Sequence, residues 1–422
     1  SYQKYGGVLT FARSVGYAVV KKPEGYTTAK VDQIIQEYEK KSANEQQSTA
    51  KQYPNIITVV NETFADIKVL GDFKTNEDYM PYFHSLKKNC VTGYTYASIV
   101  GGQTANTEFE LLTGNTLGFL SAGTTAFQLY IHGQMPSLVS NLKAEGYSGN
   151  KAMHPFNPYN YNRPAVYKDF GFTDFIDKFD FPKNVKRVRE YISDEANVDR
   201  IISEYEKNRK KTDQPFYMYN MTIQNHSPYD KDAANFKQPI KIESSKYDAE
   251  ANRYLNLIKY SDDSLKQLTS YFEKCKEPTI ILFLGDHQPR LTDEFMNKIT
   301  NGQYQTWSSE QMMKRYQVPF VIWANYDIKE QHIEKTSMNY IQSILTKTAG
   351  VKMTGYQRFL NEVRKEVPTI TSQGYWGKNG KFYQINDKGS PYYGIIQKYR
   401  MIQYNMMFDK KNRRDSFFEV SK

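Results

Sequence analysis

Short apolar runs recur along the chain and have the composition of buried β-strands. They are rich in β-branched and aromatic residues, they stop at polar residues, glycine or proline, and they span 55–60, 216–223, 279–284 and 319–324. Longer stretches of helical character lie between them, such as 136–145 and 253–272. Strands that alternate with helices are typical of a sheet covered on both faces. We therefore predict an α/β fold with a mainly parallel central sheet and helices on both faces.

The N-terminal segment differs from this middle region. A Lys- and Glu-rich stretch has apolar residues at helical spacing, and a polar run at 42–51 follows it; the apolar positions are Val31, Ile34, Ile35 and Tyr38. This pattern predicts an N-terminal helical linker over residues 1–50, which leads into a core domain at 51–350.

The character of the sequence changes again near residue 350. The Asn379-Gly380 pair within 374–383 predicts a tight hairpin. One face of a final amphipathic helix follows, formed by Ile395, Tyr399, Ile402 and Met406. We expect residues 351–422 to form a small C-terminal α+β subdomain, a hairpin followed by a helix.

Composition narrows the possible classes of protein. Of the 422 residues, 39% are hydrophobic and 24% are charged, which is typical of a globular chain. No apolar run approaches the roughly 20 residues that span a bilayer, and no signal peptide opens the chain. The formal charge of +10 favours an anionic membrane surface or another polyanion as neighbour, yet no nucleic-acid-binding motif is present. Cys90 and Cys275 form neither a CxxC pair nor a disulfide framework.

The most informative segment is Gly285-Asp286-His287, which caps an apolar strand. Glu62 lies two residues beyond the strand at 55–60. Binding groups of an open α/β sheet collect just beyond the carboxyl ends of its strands. Two carboxylates and an imidazole suit a divalent cation of borderline preference. Glu62 alone could be an exposed loop acid, but the combination favours a metal site.

A candidate nucleophile lies in the segment Gly101-Gly102-Gln103-Thr104. The glycines allow close backbone approach, and the helical run from Ala105 places Thr104 at a helix N-terminus. Free amides and the helix dipole stabilise an oxyanion or a phosphate there. A metal-bound Thr hydroxyl loses its proton more easily and becomes a usable nucleophile. From the local sequence alone, Thr104 could equally be a helix N-cap.

These motifs together resemble a known family. Glu62, the segment 102–109 and Gly285-Asp286-His287 match, in order and spacing over roughly residues 50–350, the extracellular catalytic domain of lipoteichoic acid synthase-like phosphoglycerol transferases. That family belongs to the alkaline phosphatase and sulfatase superfamily. The resemblance implies an alkaline phosphatase/sulfatase-like fold and makes residues 51–350 the catalytic domain.

The resemblance also implies a cofactor and a nucleophile. It implies that Glu62, Thr104, Asp286 and His287 hold one divalent metal ion, usually manganese in this family, with magnesium or zinc as alternatives. It makes Thr104 the nucleophile, which would form a covalent phosphothreonine intermediate.

Two further segments match the family's substrate-binding positions. His226, within 222–228, resembles the substrate-side histidine, which could bind a phosphate oxygen or protonate a leaving alkoxide. His154, Tyr161 and Arg163 resemble the phosphoglycerol-binding segment, where an Arg can make two parallel bonds to phosphate oxygens. Tyr161 replaces a Trp of the family pattern, so the shape of the glycerol or acceptor site differs. Other interpretations are a surface Arg163, a structural His226 and a loop-scaffold role for His154.

The function that the resemblance implies is transfer of glycerol phosphate from phosphatidylglycerol to a cell-envelope polymer or polysaccharide. Its partners are then a lipid donor, a glycerol-phosphate polymer or sugar acceptor, and a membrane surface, with no nucleic acid. The resemblance places the domain at the extracellular face of the membrane of a Gram-positive bacterium, anchored by N-terminal transmembrane helices that this chain lacks.

Three other functions compete with this hypothesis. A sulfatase needs Cys or Ser in a C/S-x-P-x-R context, which this sequence does not have. A two-zinc phosphatase or phosphodiesterase needs additional Asp and His ligands, and only 6 His residues are present. The remaining alternative is a non-catalytic domain that binds phosphoglycerol polymer.

Overall fold

A sheet of eight strands forms the centre of the structure, a computed structural model that describes residues 20–43, 52–243 and 248–420. The described residues also form a three-stranded and a two-stranded sheet. In chain order, the strands of all three sheets are β1 Asn55–Asn61, β2 Cys90–Tyr96, β3 Ser148–Met153, β4 Asp174–Ile176, β5 Arg187–Val188, β6 Tyr191–Ile192, β7 Phe216–Met221, β8 Thr279–Gly285, β9 Gln317–Ala324, β10 Gln331–Ser337, β11 Thr369–Thr371, β12 Gly374–Trp376 and β13 Phe382–Tyr383. The large sheet has the order β10-β2-β9-β8-β1-β7-β3-β4. Only β9 runs antiparallel to its neighbours within it, which confirms the predicted mainly parallel sheet.

Helices connect and cover these strands. Within the described residues they are α1 Thr28–Lys41, α2 Pro81–Ser85, α3 Thr104–Thr113, α4 Ala126–Leu129, α5 Leu138–Ala144, α6 Arg163–Phe170, α7 Asp194–Arg209, α8 Ala249–Phe272, α9 Asp293–Ile299, α10 Ser309–Met312, α11 Met338–Thr348, α12 Gly355–Glu366, α13 Tyr393–Phe408 and α14 Asp415–Phe418. The predicted helices at 136–145 and 253–272 correspond to α5 and α8. No helix among the described residues combines the length and the hydropathy needed to cross a bilayer.

The sheet separates two hydrophobic cores. Alternate side chains of β1 enter opposite cores: Ile56 and Val60 pack on one face, and Ile57 and Val59 on the other. Every residue of β1 and of β8 is buried, because helices cover both faces of the sheet. This burial explains why both strands are nearly continuous apolar runs in the sequence.

The C-terminal region forms a second, small sheet. Strands β11, β12 and β13 are antiparallel, and the predicted Asn379-Gly380 turn lies between β12 and β13, with Gly380 at a φ of +75°. Helix α13 follows, and it buries Tyr399, Ile402 and Met406 of the predicted apolar face. The structure therefore has a small antiparallel sheet and a helix at the end of the chain.

Helix α1 packs directly on this C-terminal region. Arg414 pairs with Asp32 of α1 at 2.6 Å, and Lys398 pairs with Glu37 at 2.7 Å. The predicted polar linker falls mostly on residues 44–51, which lie outside the described residues. The division into parts at 1–50, 51–350 and 351–422 stays a prediction.

Candidate active site and metal centre

Strand register brings the predicted metal ligands together. Asn61 of β1 and Gly285 of β8 are partners in adjacent parallel strands, so the residues that follow them, Glu62 and Asp286, leave the sheet side by side. One ligand atom each of Glu62, Asp286 and His287 lies within 4.8 Å of the others, and all three residues are buried. This is the arrangement expected beyond the carboxyl ends of parallel strands.

Hydrogen bonds fix the orientation of Asp286 and His287. Asp286 Oδ1 accepts from the backbone amides of Thr63 at 2.7 Å and of His287 at 2.8 Å. His287 Nδ1 lies 3.0 Å from the carbonyl oxygen of Gln288, which can only accept, so Nδ1 carries the proton. In the part of the chain that the structure describes, Asp286 Oδ2 and His287 Nε2 have no hydrogen-bond partner, although both atoms are buried.

These unpartnered atoms fit a cation. His287 Nε2 lies 3.1 Å from Asp286 Oδ2 and 3.8 Å from Glu62 Oε1. Burial, followed by the charge of Asp286, raises the pKa of Glu62 well above its usual value. A divalent ion between these groups would compensate the two buried carboxylates and accept the Nε2 lone pair. The residues present therefore fit the implied metal.

Thr104 is the first residue of α3 and faces the same pocket as Glu62 and His287. The preceding residues Gly101 and Gln103 have φ values of +67° and +65°, and Gln103 occupies the N-cap position. The Thr104 hydroxyl makes no hydrogen bond to another described residue, so the interpretation of Thr104 as a helix cap is wrong.

A hydrogen bond ties α3 to the metal-ligand strand. Thr107 Oγ1 donates to the backbone carbonyl of Asp286 at 2.8 Å, and both residues are fully buried. The first turn of α3 is thereby held against the end of β8. This contact fixes the position of Thr104 relative to the ligand cluster.

Arg163 lines the pocket but is not a surface residue, since only 2% of its side chain is exposed. Its Nη2 and Nε atoms donate to Glu108 Oε1 at 2.7 and 3.1 Å. Nη1 makes only a 3.5 Å contact with the carbonyl oxygen of Asn160. The surface interpretation is therefore wrong, and two parallel bonds to a phosphate can form only along the Nη1–Nη2 edge.

His154 and His226 line the same pocket as Glu62 and His287 of the ligand cluster. His154 Nδ1 lies 3.0 Å from the carbonyl oxygen of Met221, and His226 Nδ1 lies 2.7 Å from that of Ser227. In both rings, Nδ1 therefore donates its proton to a backbone carbonyl oxygen. The Nε2 atom of each ring takes no part in that hydrogen bond. Burial, and then the charge of Arg163, lower the pKa of His154 well below its usual value, so His154 is a neutral acceptor.

Tyr161 forms part of the pocket wall beside Arg163. Its φ is +60°, and the guanidinium carbon of Arg163 lies 5.1 Å from the centre of its ring. The ring is half-buried, so Tyr161 can contact a ligand while it also packs on the guanidinium.

Several other residues of the site have no functional assignment from the sequence motifs. Glu108 is fully buried and also accepts from the hydroxyls of Tyr167 and Tyr219, both of them buried. Arg290, Phe156 and Asn160 line the pocket. Of these residues, only Glu108 lies within a motif that the sequence itself reveals, the segment 102–109. The others join the site through tertiary structure alone.

Arg189 stabilises the loop that carries His226 through hydrogen bonds to the loop backbone. Arg189 donates to the carbonyl oxygens of Gln224 and His226 at 2.8 and 2.7 Å. The His226 ring also stacks on Phe156, with centroids 6.2 Å apart. These contacts give His226 one orientation toward the pocket.

With this geometry established, the family can be assigned. A model of the sulfatase family matches residues 54–351, which is more than half of the chain. The chain belongs to the sulfatase family. This assignment confirms the predicted superfamily, while the sequence lacks the C/S-x-P-x-R context on which sulfatase activity depends.

Two curated relatives show what this sulfatase-family chain is similar to. A Rhizobium meliloti (strain 1021) protein, whose name assigns it provisionally to cyclic beta-1,2-glucan modification, is 30% identical over 427 residues, which cover 99% of this chain and 64% of that protein. The lipoteichoic acid synthase-like protein YvgJ of Bacillus subtilis (strain 168) is 27% identical over 237 residues, which cover 55% of this chain and 36% of YvgJ. The chain therefore spans less than two thirds of the length of these relatives.

A solved structure shows the same fold. The phosphoglycerol transferase GacH of Streptococcus pyogenes, in complex with sn-glycerol-1-phosphate, superimposes with a TM-score of 0.76 and 20% sequence identity. The match covers 95% of this chain and 100% of the GacH chain. The alkaline phosphatase-like fold predicted from the motifs is thus confirmed for this chain.

Proposed function

We propose that this protein is a phosphoglycerol transferase that moves glycerol phosphate from phosphatidylglycerol to a cell-envelope polymer or polysaccharide. One observation carries the proposal. A hydroxyl without a hydrogen-bond partner among the described residues, that of Thr104, shares a pocket with a buried cation-binding cluster, with Arg163 and with two histidines. Phosphoryl transfer needs a nucleophile, neutralisation of the phosphate charge and a group that transfers protons. Residues of this pocket can supply each of the three.

The proposed cofactor is one divalent ion, most simply manganese, held by Glu62, Thr104, Asp286 and His287. Bound there, it would lower the pKa of the Thr104 hydroxyl and neutralise charge on the phosphate oxygens. Asp286 and His287 are each oriented by a backbone hydrogen bond, so the site is preorganised before the ion binds.

In the first half-reaction, Thr104 Oγ, whose proton has already passed to solvent, attacks the phosphorus of the phosphatidylglycerol head group and forms a new P–O bond. The P–O bond to diacylglycerol breaks, and the leaving alkoxide takes a proton from His226 Nε2. Arg163 donates to the equatorial oxygens through its free Nη edge, while His154 Nε2 accepts from a glycerol hydroxyl. Glycerophospho-threonine remains on the protein.

In the second half-reaction, an acceptor hydroxyl enters where diacylglycerol left. Its proton passes to His226 Nε2, its oxygen bonds to phosphorus, and the bond to Thr104 breaks, which returns Thr104 as the alkoxide and His226 as the proton donor of the next cycle. The relative named for glucan modification makes a polysaccharide acceptor as reasonable as a glycerol-phosphate polymer. The position of Tyr161 beside Arg163 suits contact with either acceptor.

The proposed location is the outer face of the membrane, where the lipid donor is accessible. The relatives come from Rhizobium as well as Bacillus, so similarity does not decide the Gram type that the sequence predicts. Anchoring by an N-terminal membrane segment remains part of this proposal.

Two other functions are tested by the same experiments. A two-zinc phosphodiesterase needs a second ligand cluster, but Glu62, Asp286 and His287 are the only such group within the described ranges. A non-catalytic polymer-binding domain would not need a free nucleophile beside the ligand cluster. The observed site therefore supports a transferase with one ion.

Turnover of phosphatidylglycerol tests the proposal. We expect manganese-dependent release of diacylglycerol by the wild type, a loss of at least about 1,000-fold in Thr104→Ala, and partial activity in Thr104→Ser, which keeps the hydroxyl. Hydrolysis without transfer to any added acceptor would favour the phosphodiesterase. Release by Thr104→Ala at the wild-type rate would contradict the proposal.

A further inference from the structure

Two large hydrophobic side chains stand out on the surface. Tyr159 is 78% exposed and Phe179 is 73% exposed, and no other large hydrophobic side chain among the described residues is comparably exposed. Single exposed apolar residues are ordinary on protein surfaces. Their position decides whether these two have a role.

Both residues belong to segments that form or contact the wall of the Thr104 pocket. Asn160 and Tyr161, which follow Tyr159 directly, line that pocket, and so does Phe156. The Lys178 amide donates to the carbonyl oxygen of Phe156 at 3.4 Å, which joins the loop of Tyr159 to the loop of Phe179. The two most exposed rings therefore lie on segments adjacent to this pocket.

Positive charge accompanies the rings. Lys178 Nζ lies 5.0 Å from the ring centre of Phe179 and 5.9 Å from that of Phe156. Arg290, which is exposed, lines the same pocket. The acidic neighbours Asp177 and Asp180 accept from backbone amides of their own turn, at 2.7 and 2.9 Å. Each of these carboxylates keeps its second oxygen and its negative charge, so attraction to an anionic partner rests on Lys178, on Arg290 and on the formal charge of +10 of the whole chain.

We propose that Tyr159, Phe179 and Lys178 form a membrane-docking rim that inserts into the interfacial layer of an anionic phospholipid bilayer. Aromatic rings favour the head-group region, and lysines beside them are attracted to anionic lipids. Docking would hold the pocket opening at head-group level, so that a lipid head group reaches Thr104 without leaving the bilayer. The inference deepens the proposed function, because it names the form in which the donor is presented.

A polysaccharide is the other class of partner that exposed aromatic rings could bind. Sugar sites combine a stacking ring with side-chain hydrogen-bonding groups that face the ligand. Here one oxygen each of Asp177, Asp180 and Asn157 is taken by a backbone amide, and Phe179 has no polar group. Two exposed rings on a chain with a formal charge of +10 therefore favour an anionic lipid surface over a neutral polysaccharide.

Vesicle co-sedimentation tests the rim without any need for turnover. Vesicles contain equal amounts of phosphatidylglycerol and phosphatidylcholine, or phosphatidylcholine alone. We expect the wild type to bind the anionic vesicles, and the double variant Tyr159→Ala/Phe179→Ala to bind them at least about tenfold more weakly. Lys178→Gln should weaken binding about fivefold on anionic vesicles and leave binding to neutral vesicles unchanged.

Three controls separate docking from other effects. Phe179→Trp keeps an interfacial ring and should bind as the wild type does. Thr104→Ala should bind normally, so a failure of the proposed chemistry leaves the docking result intact. The double variant should turn over a water-soluble short-chain phosphatidylglycerol at the wild-type rate, but vesicle-embedded donor more slowly.

Several outcomes overturn the inference. One is a wild-type protein that does not bind the anionic vesicles, and another is a folded double variant that binds them as the wild type does. If the double variant loses binding to an immobilised neutral polysaccharide and still binds vesicles as the wild type does, the rings belong to a sugar-binding site instead. Thermal melting of each variant establishes that it is folded.

Discussion

Arg163 and Glu108 form an ion pair that is almost completely removed from solvent, with Arg163 Nη2 at 2.7 Å from Glu108 Oε1 and side-chain exposures of 2% and 0%. The pair joins the segment around Arg163 to the helix that begins with Thr104. Burial lowers the pKa of the Arg163 guanidinium, but the charge and hydrogen bonds of Glu108, together with the neighbouring Tyr167 and Tyr219, more than offset it and raise the pKa above its usual value. Glu108 is thus a positioning residue for the arginine that we assign to the phosphate.

Removal of Glu108 should damage both stability and substrate binding. Glu108→Ala leaves a buried charge without its partner, which typically costs about 3–5 kcal/mol of unfolding free energy. Urea denaturation measures this loss, and we expect KM for phosphatidylglycerol to rise in any folded fraction. Glu366→Ala is the matched control, because it breaks an exposed pair with Lys378 at 2.8 Å and should cost less than about 1 kcal/mol. An equal loss of unfolding free energy in the two variants would contradict the claim that burial makes the Glu108 pair costly to break.

The backbone before Thr104 needs glycine at position 101. Gly101 has a φ of +67°, and a Cβ there would lie 3.2 Å from Cβ of Arg290, on the rim of the pocket. Gly146 has a φ of +88° with nothing within 4 Å, so Gly146→Ala meets the backbone strain alone. Both substitutions should lower stability by about 1 kcal/mol. Only Gly101→Ala should lower kcat, and an equal fall in both variants would count against the placement of Thr104.

Metal binding should stabilise the fold. A ligand present at about 100 times its Kd adds about 2.7 kcal/mol to the unfolding free energy, which thermal melting detects as a rise in Tm. Asp286→Asn retains an oxygen for the Thr63 and His287 amides but removes the negative charge, so it should fold and lose most of this rise. An unchanged manganese-dependent rise in Asp286→Asn would exclude the residue as a ligand.

His84, which is not one of the assigned ligands, should make stability depend on pH. The carboxylates of Asp66 and Asp78, at 3.7 and 2.7 Å from its ring nitrogens, raise the pKa of His84 to about 9. The folded state therefore holds the proton more tightly than the unfolded state. This stabilisation is complete below the ordinary histidine pKa of about 6.5 and is lost as the pH rises toward 9.

The variant His84→Ala removes that pH dependence. Urea denaturation between pH 6 and pH 10 should show a smaller fall in stability for His84→Ala than for the wild type, whatever their difference at one pH. A wild-type curve that rises over this interval while the variant stays flat would contradict the sign of the shift. His132, which is exposed, supplies a control histidine.

The sequence predicted the parts of the fold that depend on local periodicity. Strands β1 and β8 are nearly continuous apolar runs because both of their faces are buried, so the sequence predicts their positions. The residues just beyond them, Glu62 and Asp286, were predicted for the same reason. The antiparallel direction of β9 left no local signal, since it depends on how the chain returns to the sheet.

The rest of the site depends on contacts between distant segments. Arg163 and Glu108 are 55 residues apart, and no sequence pattern in either segment predicts that they form an ion pair. Thr104 was ambiguous locally, because the N-cap position was assigned by the conformation of Gln103 rather than by residue type. The contact of α1 with α13 likewise arises from tertiary packing, through Glu37 and Lys398.

The most direct test of the central claim is mass spectrometry of the intact chain after brief incubation with phosphatidylglycerol and manganese, without an acceptor. The account predicts a mass increase of one glycerophosphate group, located on Thr104 by peptide fragmentation, which disappears when an acceptor is added. Thr104→Ala should show no increase. Diacylglycerol release with no modified Thr104, or modification of a different residue, would contradict the account.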